Sequence, residues 1–326
     1  MSRAVVEAIG DPARREPLDR IDLAIIAKLQ HDGRITVRRL ARAVAMSETA
    51  VRQRLNRLVA TKAISIVGLV DPQALGRPLI AWCLIRTDAS GSEVGRRLAA
   101  LHQIRWVARC GDFDQLIAQT SCADNEELLE IVNLRVRATK GVKSVETLIQ
   151  LRTHVTEFRF SAAGDEFARP SEVWVRGGHP SRLLDETDRI IADALHNDGR
   201  TTFKKLGDLT GLTTASARQR YQRLVRDGIL RVRAVADPAW LGRTVSGLLG
   251  ITVRGSSSDT AAMLARHPEA TFVCECAGRY DVLVEVVCRD QAHFSSVFHD
   301  AVAAAPGVGT VDAYVYHDVV KESFDF

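Results

Sequence analysis

Arg52-Gln53-Arg54 followed by Arg57, and Arg218-Gln219-Arg220 followed by Arg223, are where this sequence masses side chains able to grip a polyanion. A guanidinium offers a planar fork of donors that fits a phosphate or the edge of guanine, and a glutamine amide fits adenine in the same two-point way. Between Lys28 and Lys62 nine Lys/Arg stand against Asp32 and Glu48; between Arg200 and Arg233 nine stand against Asp208 and Asp227. Each window therefore carries +7, while the 326-residue chain is only +4, so everything outside the windows is net −10. Any one of these arginines would ordinarily be a solvated helix face. Two basic windows on an otherwise acidic chain are the electrostatic footprint of nucleic-acid contact at two places.

Other candidate chemistry is thinner. Gly111-Asp112-Phe113-Asp114 and Gly278-Arg279-Tyr280-Asp281 combine a permissive backbone with carboxylates that can accept from an ammonium group. The plainer reading of each is a hairpin turn whose Asp holds backbone amides. Arg279 stands where the first run has Asp112, so the two turns differ in charge. The six cysteines lie in or beside apolar stretches, the usage of small buried hydrophobes in a reducing compartment. Cys274 and Cys276 share a strand face, but no second Cys/His pair completes a zinc site, so neither metal nor cofactor is expected. His102, His196, His267 and His317 are scattered, and no nucleophile–base arrangement or phosphate-cradling glycine loop points to an enzyme. The longest apolar run, Val282 to Cys288, is broken by Glu285 and falls short of the ~20 residues of a membrane span. With no signal-peptide layout at the N-terminus, a cytoplasmic protein without a membrane partner is expected.

The elements that must position these residues occur twice. Leu18-Asp19 recurs as Leu184-Asp185, and the same offset of 166 carries Asp32-Gly33-Arg34 onto Asp198-Gly199-Arg200, Arg52-Gln53-Arg54 onto Arg218-Gln219-Arg220, Asp71-Pro72 onto Asp237-Pro238, and Leu75-Gly76-Arg77 onto Leu241-Gly242-Arg243. Such a period is too long for a solenoid unit and makes each copy a complete two-part module. In copy one, Leu18, Ile21, Ile25, Ile26 and Leu29 keep helical spacing after Asp19 as N-cap; Thr36 and Ser47 cap two further helices across a tight turn at Met46-Ser47. That is a helix-turn-helix whose last helix bears the arginines. Copy two repeats it near 185–197, 202–210 and 213–227. Apolar strands at 64–70 and 229–236 read as wings leading into the next domain. A strand, helix, strand, strand, helix, strand order follows each, at about 79–151 and 245–317, a ferredoxin-like βαββαβ arrangement. Its uncovered sheet face predicts pairing between the copies.

The fold class expected is α+β: two winged helix-turn-helix domains and two ferredoxin-like βαββαβ sensing domains in tandem. The organisation is an N-terminal arm (1–17), helix-turn-helix 1 (18–72), sensing domain 1 (73–152), a linker (153–183) with a short strand near 173–175, helix-turn-helix 2 (184–238), sensing domain 2 (239–320) and a tail (321–326).

The ordered set Leu-Asp-x-x-Asp at 18–22, Asp-Gly-Arg at 32–34, Ser47, Val51, Arg54, Arg57, Leu58, Asp71-Pro72, Leu75-Gly76, the Gly111 turn and Gly141-Val142 resembles the Lrp/AsnC (feast/famine) regulators. The second copy resembles them again, through Gly278-Arg279-Tyr280-Asp281 and Pro306-Gly307-Val308, and together the two stretches take in about four-fifths of the chain. The resemblance implies double-stranded DNA as partner, self-association through the sensing domains, and an amino acid or similar metabolite as effector, at a cleft bordered by Gly111, Asp112, Asp114, Gly278, Arg279 and Asp281. The third helix of each copy should enter the major groove. Ser47, Glu48, Thr49, Arg52 and Gln53, with Thr213, Thr214, Ser216, Arg218 and Gln219, are the candidates for base edges. Arg38, Arg39, Arg54, Arg57, Lys204, Lys205, Arg220 and Arg223 are the candidates for phosphates, with bracing of the domain the alternative for Arg54 and Arg57. The helix starts differ, Ser-Glu-Thr-Ala-Val against Thr-Thr-Ala-Ser-Ala, so unlike half-sites about 10 base pairs apart are expected. Two rival readings remain: a sensor with vestigial DNA binding, and an enzyme similar to the paired siroheme decarboxylases. The latter resemblance implies histidine and arginine clusters with aromatic-rich strands around a tetrapyrrole, but Ile104-Arg105-Trp106-Val107-Ala108-Arg109-Cys110 lacks histidine and no Trp-Pro-Tyr-Asn-type segment follows.

Overall fold

Asp19 opens the first helix by accepting the Asp22 amide at 2.8 Å while Asp22 accepts the Asp19 amide, a capping box that satisfies two otherwise orphaned donors. The computed structural model describes residues 17–88, 91–111, 114–156 and 182–322. Helix α1 (Arg20–His31) buries Ile25, Ile26 and Leu29 against α2 (Val37–Ala43), capped by Thr36, and α3 (Glu48–Ala60), capped by Ser47. Asp185, Thr202 and Thr213 cap α6 (Glu186–Asn197), α7 (Phe203–Thr210) and α8 (Thr214–Arg226) in the same way. The offset of 166 thus repeats local structure down to the capping side chains.

The strands after the helices depart from the expectation. β1 (Ile64–Val70) and β6 (Leu230–Ala236) are not wings standing beside their own helices; they pair with each other, antiparallel, with Val67 opposite Arg233. A lone strand leaves its amides and carbonyls unpaired, and the equivalent strand of the other copy satisfies them. The helix-turn-helix cores are shared accordingly: Val232, Ala234 and Leu241 join the first, and Val70 and Ala74 join the second.

Beyond this ribbon lie β2 (Leu79–Thr87), α4 (Gly91–Ala99), β3 (Ile104–Cys110), β4 (Gln115–Cys122), α5 (Asn125–Glu130, continued by a π-helical turn, Ile131–Val136) and β5 (Val142–Thr156). Copy two supplies β7 (Val245–Val253), α9 (Ser257–Leu264), β8 (Ala270–Ala277), β9 (Val282–Cys288), α10 (Gln291–Ser296, continued by a π-helical turn, Val297–Ala303) and β10 (Val308–Glu322). The eight strands close into a barrel in the order β10-β3-β4-β2-β5-β8-β9-β7, so the copies meet at two seams, β5 with β8 and β10 with β3. The expected pairing of open sheet faces takes this form. Trp82, Trp106, Phe272, Tyr280, Tyr314 and Tyr316 fill the interior, and the helices cover the outside.

β5 and β10 outrun their own sheets to reach the other copy. Residues 153–156, expected as linker, and 321–322, expected as tail, are strand, with Thr156 opposite Phe272 and Glu322 opposite Trp106. The N-terminal arm up to residue 16 and the strand expected near 173–175 lie outside the described residues. Among the described residues no helix is long and apolar enough to cross a membrane.

Candidate nucleic-acid interface

Helix α3 turns Val51, Leu55 and Leu58 inward, and α8 turns Ala217 and Leu224 inward. The helical period then places Glu48, Thr49, Arg52 and Gln53 on the exposed side of α3, and Thr214, Arg218 and Gln219 on that of α8. Arg38 and Arg39 on α2, and Lys204 and Lys205 on α7, are exposed as well. The cap hydroxyls have prior duties. Ser47 accepts the Ala50 amide at 3.2 Å, and Thr213 accepts the Ser216 amide at 3.1 Å while sharing a 2.9 Å hydrogen bond with the Ser216 hydroxyl.

Four residues expected at phosphates are committed elsewhere. Arg54 Nη1 donates to Asp19 Oδ2 at 2.7 Å and Asp22 Oδ1 at 2.9 Å, and Arg57 pairs with the other oxygen of Asp22. Arg220 repeats this on Asp185 (2.6 Å) and Asp188 (3.0 Å), with Arg223 at 3.6 Å and Arg182 at 2.6 Å from Asp188. Asp22 and Asp188 are 1% and 0% exposed, and a buried carboxylate without a counter-charge is costly. Bracing of the first helix is therefore what the structure gives Arg54, Arg57, Arg220 and Arg223. Burial opposes the charge of Asp19, yet the Asp22 amide and Arg54 hold its carboxyl below the usual carboxylate range; the Asp185 carboxyl is likewise lowered, against burial, by Arg220 and the Asp188 amide.

The turns expected at an effector cleft sit between β3 and β4 and between β8 and β9. Asp112 lies outside the described residues. Gly111 has φ +61°, and the Asp114 carbonyl accepts from the Thr87 amide and hydroxyl at 2.9 and 3.1 Å. Gly278, at φ +142°, packs so close to copy one that an added Cβ would meet Leu148 at 2.6 Å. Arg279 lies 3.3 Å from Asp312 and 3.8 Å from Glu146, so its charge is balanced locally. Asp281 Oδ2 accepts the Val253 amide at 2.7 Å: its carboxylate holds backbone, as the plainer reading had it.

All six cysteines are buried and free, and burial pushes the thiols of Cys83, Cys110 and Cys276 up to about 12 and those of Cys122 and Cys288 up to about 11. They are packing residues. Among the described residues no cluster of three His, Cys, Asp or Glu is placed to hold a metal.

The AsnC-type helix-turn-helix domain matches residues 18–59 and again 184–225, and the Lrp/AsnC ligand binding domain matches 247–326. Residues 87–157 match a relative of the latter, the C-terminal dimeric alpha+beta barrel domain of PF0864. The HTH-type transcriptional regulator FL11 of Pyrococcus horikoshii is 32% identical over 142 residues, which are 43% of this chain and 93% of that protein. The chain belongs to the Lrp/AsnC family. The leucine-responsive regulatory protein of Escherichia coli is 26% identical over 149 residues, 44% of this chain and 91% of that one. One of these relatives thus spans less than half of this Lrp/AsnC chain, which carries the domain pair twice. The crystal structure of the siroheme decarboxylase NirDL aligns over 94% of this chain and 93% of its own with a TM-score of 0.63, at 14% identity. That is a likeness of fold.

In this Lrp/AsnC chain the Asp-Gly-Arg triplets form a reciprocal clasp that sequence reasoning missed. Arg34 Nη1 and Nη2 donate to the carbonyls of Gly199 (2.7 Å) and Thr201 (2.9 Å); Arg200 donates to Gly33 (3.0 Å) and Ile35 (3.1 Å). Asp32 and Asp198 hold the amides of Arg34 and Arg200 at 2.9 Å, which sets the turn. The glycines let the backbones meet: Gly33 N–H reaches Val232 O at 2.9 Å, and Gly199 N–H reaches Ile66 O at 2.8 Å. An added Cβ at Gly33 would lie 2.9 Å from Arg233 backbone, and at Gly199 2.6 Å from Val232. Arg34 also stacks on Phe203 (4.6 Å) and Tyr221 (5.0 Å). The exact repetition of the triplet at the 166 offset was the available signal.

Proposed function

We propose that this protein is a sequence-specific DNA-binding transcriptional regulator of the Lrp/AsnC type, responsive to an amino acid or related small metabolite. One observation carries the DNA reading. After subtraction of the arginines committed to aspartates and to the clasp, Arg52-Gln53 and Arg218-Gln219 still stand exposed at equivalent places on two recognition helices. Arg38, Arg39, Lys204 and Lys205 supply the charge for phosphates. The unlike helix starts favour a site with unlike half-sites about one helical turn apart. Selection from random DNA, followed by binding of the selected site across a salt series, tests this. The slope of log K against log salt should be about −0.9 per neutralised phosphate. Arg52→Ala with Arg218→Ala should weaken binding at least tenfold without altering the melting temperature. A flat salt response, or symmetric selected half-sites, contradicts the reading.

The ligand-binding-domain match at 247–326 supports an effector, and the turn at Gly278-Arg279, with that at Gly111 and Asp114, is its proposed border. Calorimetric titration of amino acids against Asp114→Ala and Arg279→Ala tests the location; unchanged affinity in both variants removes these turns from the site. The likeness to a siroheme decarboxylase is one of fold and brings no chemistry with it.

A further inference from the structure

The duplication lets every contact across one barrel seam be compared with its twin across the other. Adding 166 to the copy-one member of a β5–β8 pair, and subtracting it from the copy-two member, gives the β10–β3 pairs. Gln150 opposite Cys276 becomes Tyr316 opposite Cys110, and Thr156 opposite Phe272 becomes Glu322 opposite Trp106, with a register shift after the first pair in both seams. Arg152 opposite Glu275 becomes Asp318 opposite Arg109. Arg152 and Asp318 are therefore the same position in the two copies, and so are Arg109 and Glu275. At both positions copy one is basic and copy two is acidic. Arg109 Nε lies 2.5 Å from Asp318 Oδ1, and Arg152 Nη1 lies 3.5 Å from Glu275 Oε1. His154 and the Ser257 hydroxyl each sit 2.8 Å from the Glu275 carboxylate and steady it.

Like pairing would reverse every one of these contacts. Two first copies would set Arg109 against Arg152 at both seams, and two second copies would set Glu275 against Asp318. The ribbon adds its own term. Val67 and Arg233 are equivalent positions lying opposite each other, so two second copies would bring Arg233 against Arg233.

We infer that this division of charge is a pairing code: the sheet edges of each half accept the unlike half and reject their own kind. The partner that fits either half is the other half, in the same chain or in a second copy of this chain. Exposed ion pairs add little to stability by themselves. Specificity is a difference, however, and here the right pairing gains an attraction at the position where the wrong pairing suffers a repulsion. Without such a code, like halves of separate molecules could pair as readily as the unlike halves of one chain.

Full-length variants test it. Arg109→Glu with Arg152→Glu makes both seams acidic; Glu275→Arg with Asp318→Arg makes both basic; all four together restore opposite charges in reversed sense. Each double variant should lose roughly 4–8 °C in Tm, and the fourfold variant should recover most of that loss. Losses that simply add in the fourfold variant overturn the inference. A cycle at the single seam of Arg109→Glu and Asp318→Arg avoids the partners of Glu275 and must show the same rescue. Selection is read by refolding the tagged acidic-seam variant with an untagged companion. The basic-seam variant should be retained several-fold more than the untagged acidic-seam one; equal retention refutes the code.

Discussion

Replacing Arg34 by alanine should loosen the junction between the two helix-turn-helix units more than replacing Arg200 does. Each guanidinium makes two charge-assisted hydrogen bonds to carbonyls of the opposite copy, at 2.7 and 2.9 Å for Arg34 and 3.0 and 3.1 Å for Arg200. At about 1.5 kcal/mol net for each bond, each clasp contributes about 3 kcal/mol. Arg34 also lies over Phe203 and Tyr221, where the equivalent neighbours of Arg200 are Val37 and Leu55; the rings add about 1 kcal/mol for Arg34 alone. Arg34→Ala should therefore cost about 4 kcal/mol and Arg200→Ala about 3 kcal/mol. The loss should be local, because a junction can open without the barrel opening. Hydrogen exchange reads this directly. Peptides from β1 and β6 should exchange roughly a hundredfold faster in either variant, faster still in Arg34→Ala, while barrel strands keep their protection. Acceleration of less than threefold in both variants, or equal loss of protection in the barrel, refutes the reasoning.

Asp22→Asn and Asp188→Asn should each cost about 2–3 kcal/mol in urea unfolding, since each removes the buried carboxylate charge that two or more partly exposed arginines pair with; Arg52→Ala in the same assay should cost nothing measurable. A pH dependence follows from the barrel. Burial, then the neighbouring Glu285 and Asp237 charges, raise the Glu322 carboxyl from 4.5 to about 7. Between these values the folded chain keeps a proton that the unfolded chain has released, so stability should fall as pH rises through that window. Tm measured from pH 4.5 to 7.5 should show this decline, and Glu322→Gln should lessen it, the remainder coming from Glu285, whose carboxyl burial also raises.

The recognition helices, the βαββαβ order of each copy and the pairing of the copies were legible because capping residues, apolar periodicity and the repeat all pointed the same way; closure of the eight strands into one barrel was not. Arg52 and Gln53 stand exposed where the helical period puts them, away from the buried Val51 and Leu55. Arg54 and Arg57 obey the same period yet turn toward Asp19 and Asp22, which are distant in sequence and adjacent only after α1 packs on α3. The recurrence of both aspartates and both arginines at the constant offset was a usable clue. β1 and β6 looked like wings because an apolar strand does not reveal its partner, and here the partner is in the other copy. The last residues of β5 and β10 were hidden for a related reason. Thr153-His154 looks polar enough for a linker, and only Cys274 and Glu275 across the seam make it strand.

The joining of both halves in one covalent strand of 326 residues changes how assembly responds to dilution. A regulator made of separate subunits falls apart when its concentration drops below its dissociation constant. Tethered halves instead see each other at an effective concentration fixed by the covalent connection, however few molecules are present. Two reading heads are then available from a single molecule, and occupancy of an operator should scale with the first power of protein concentration rather than its square.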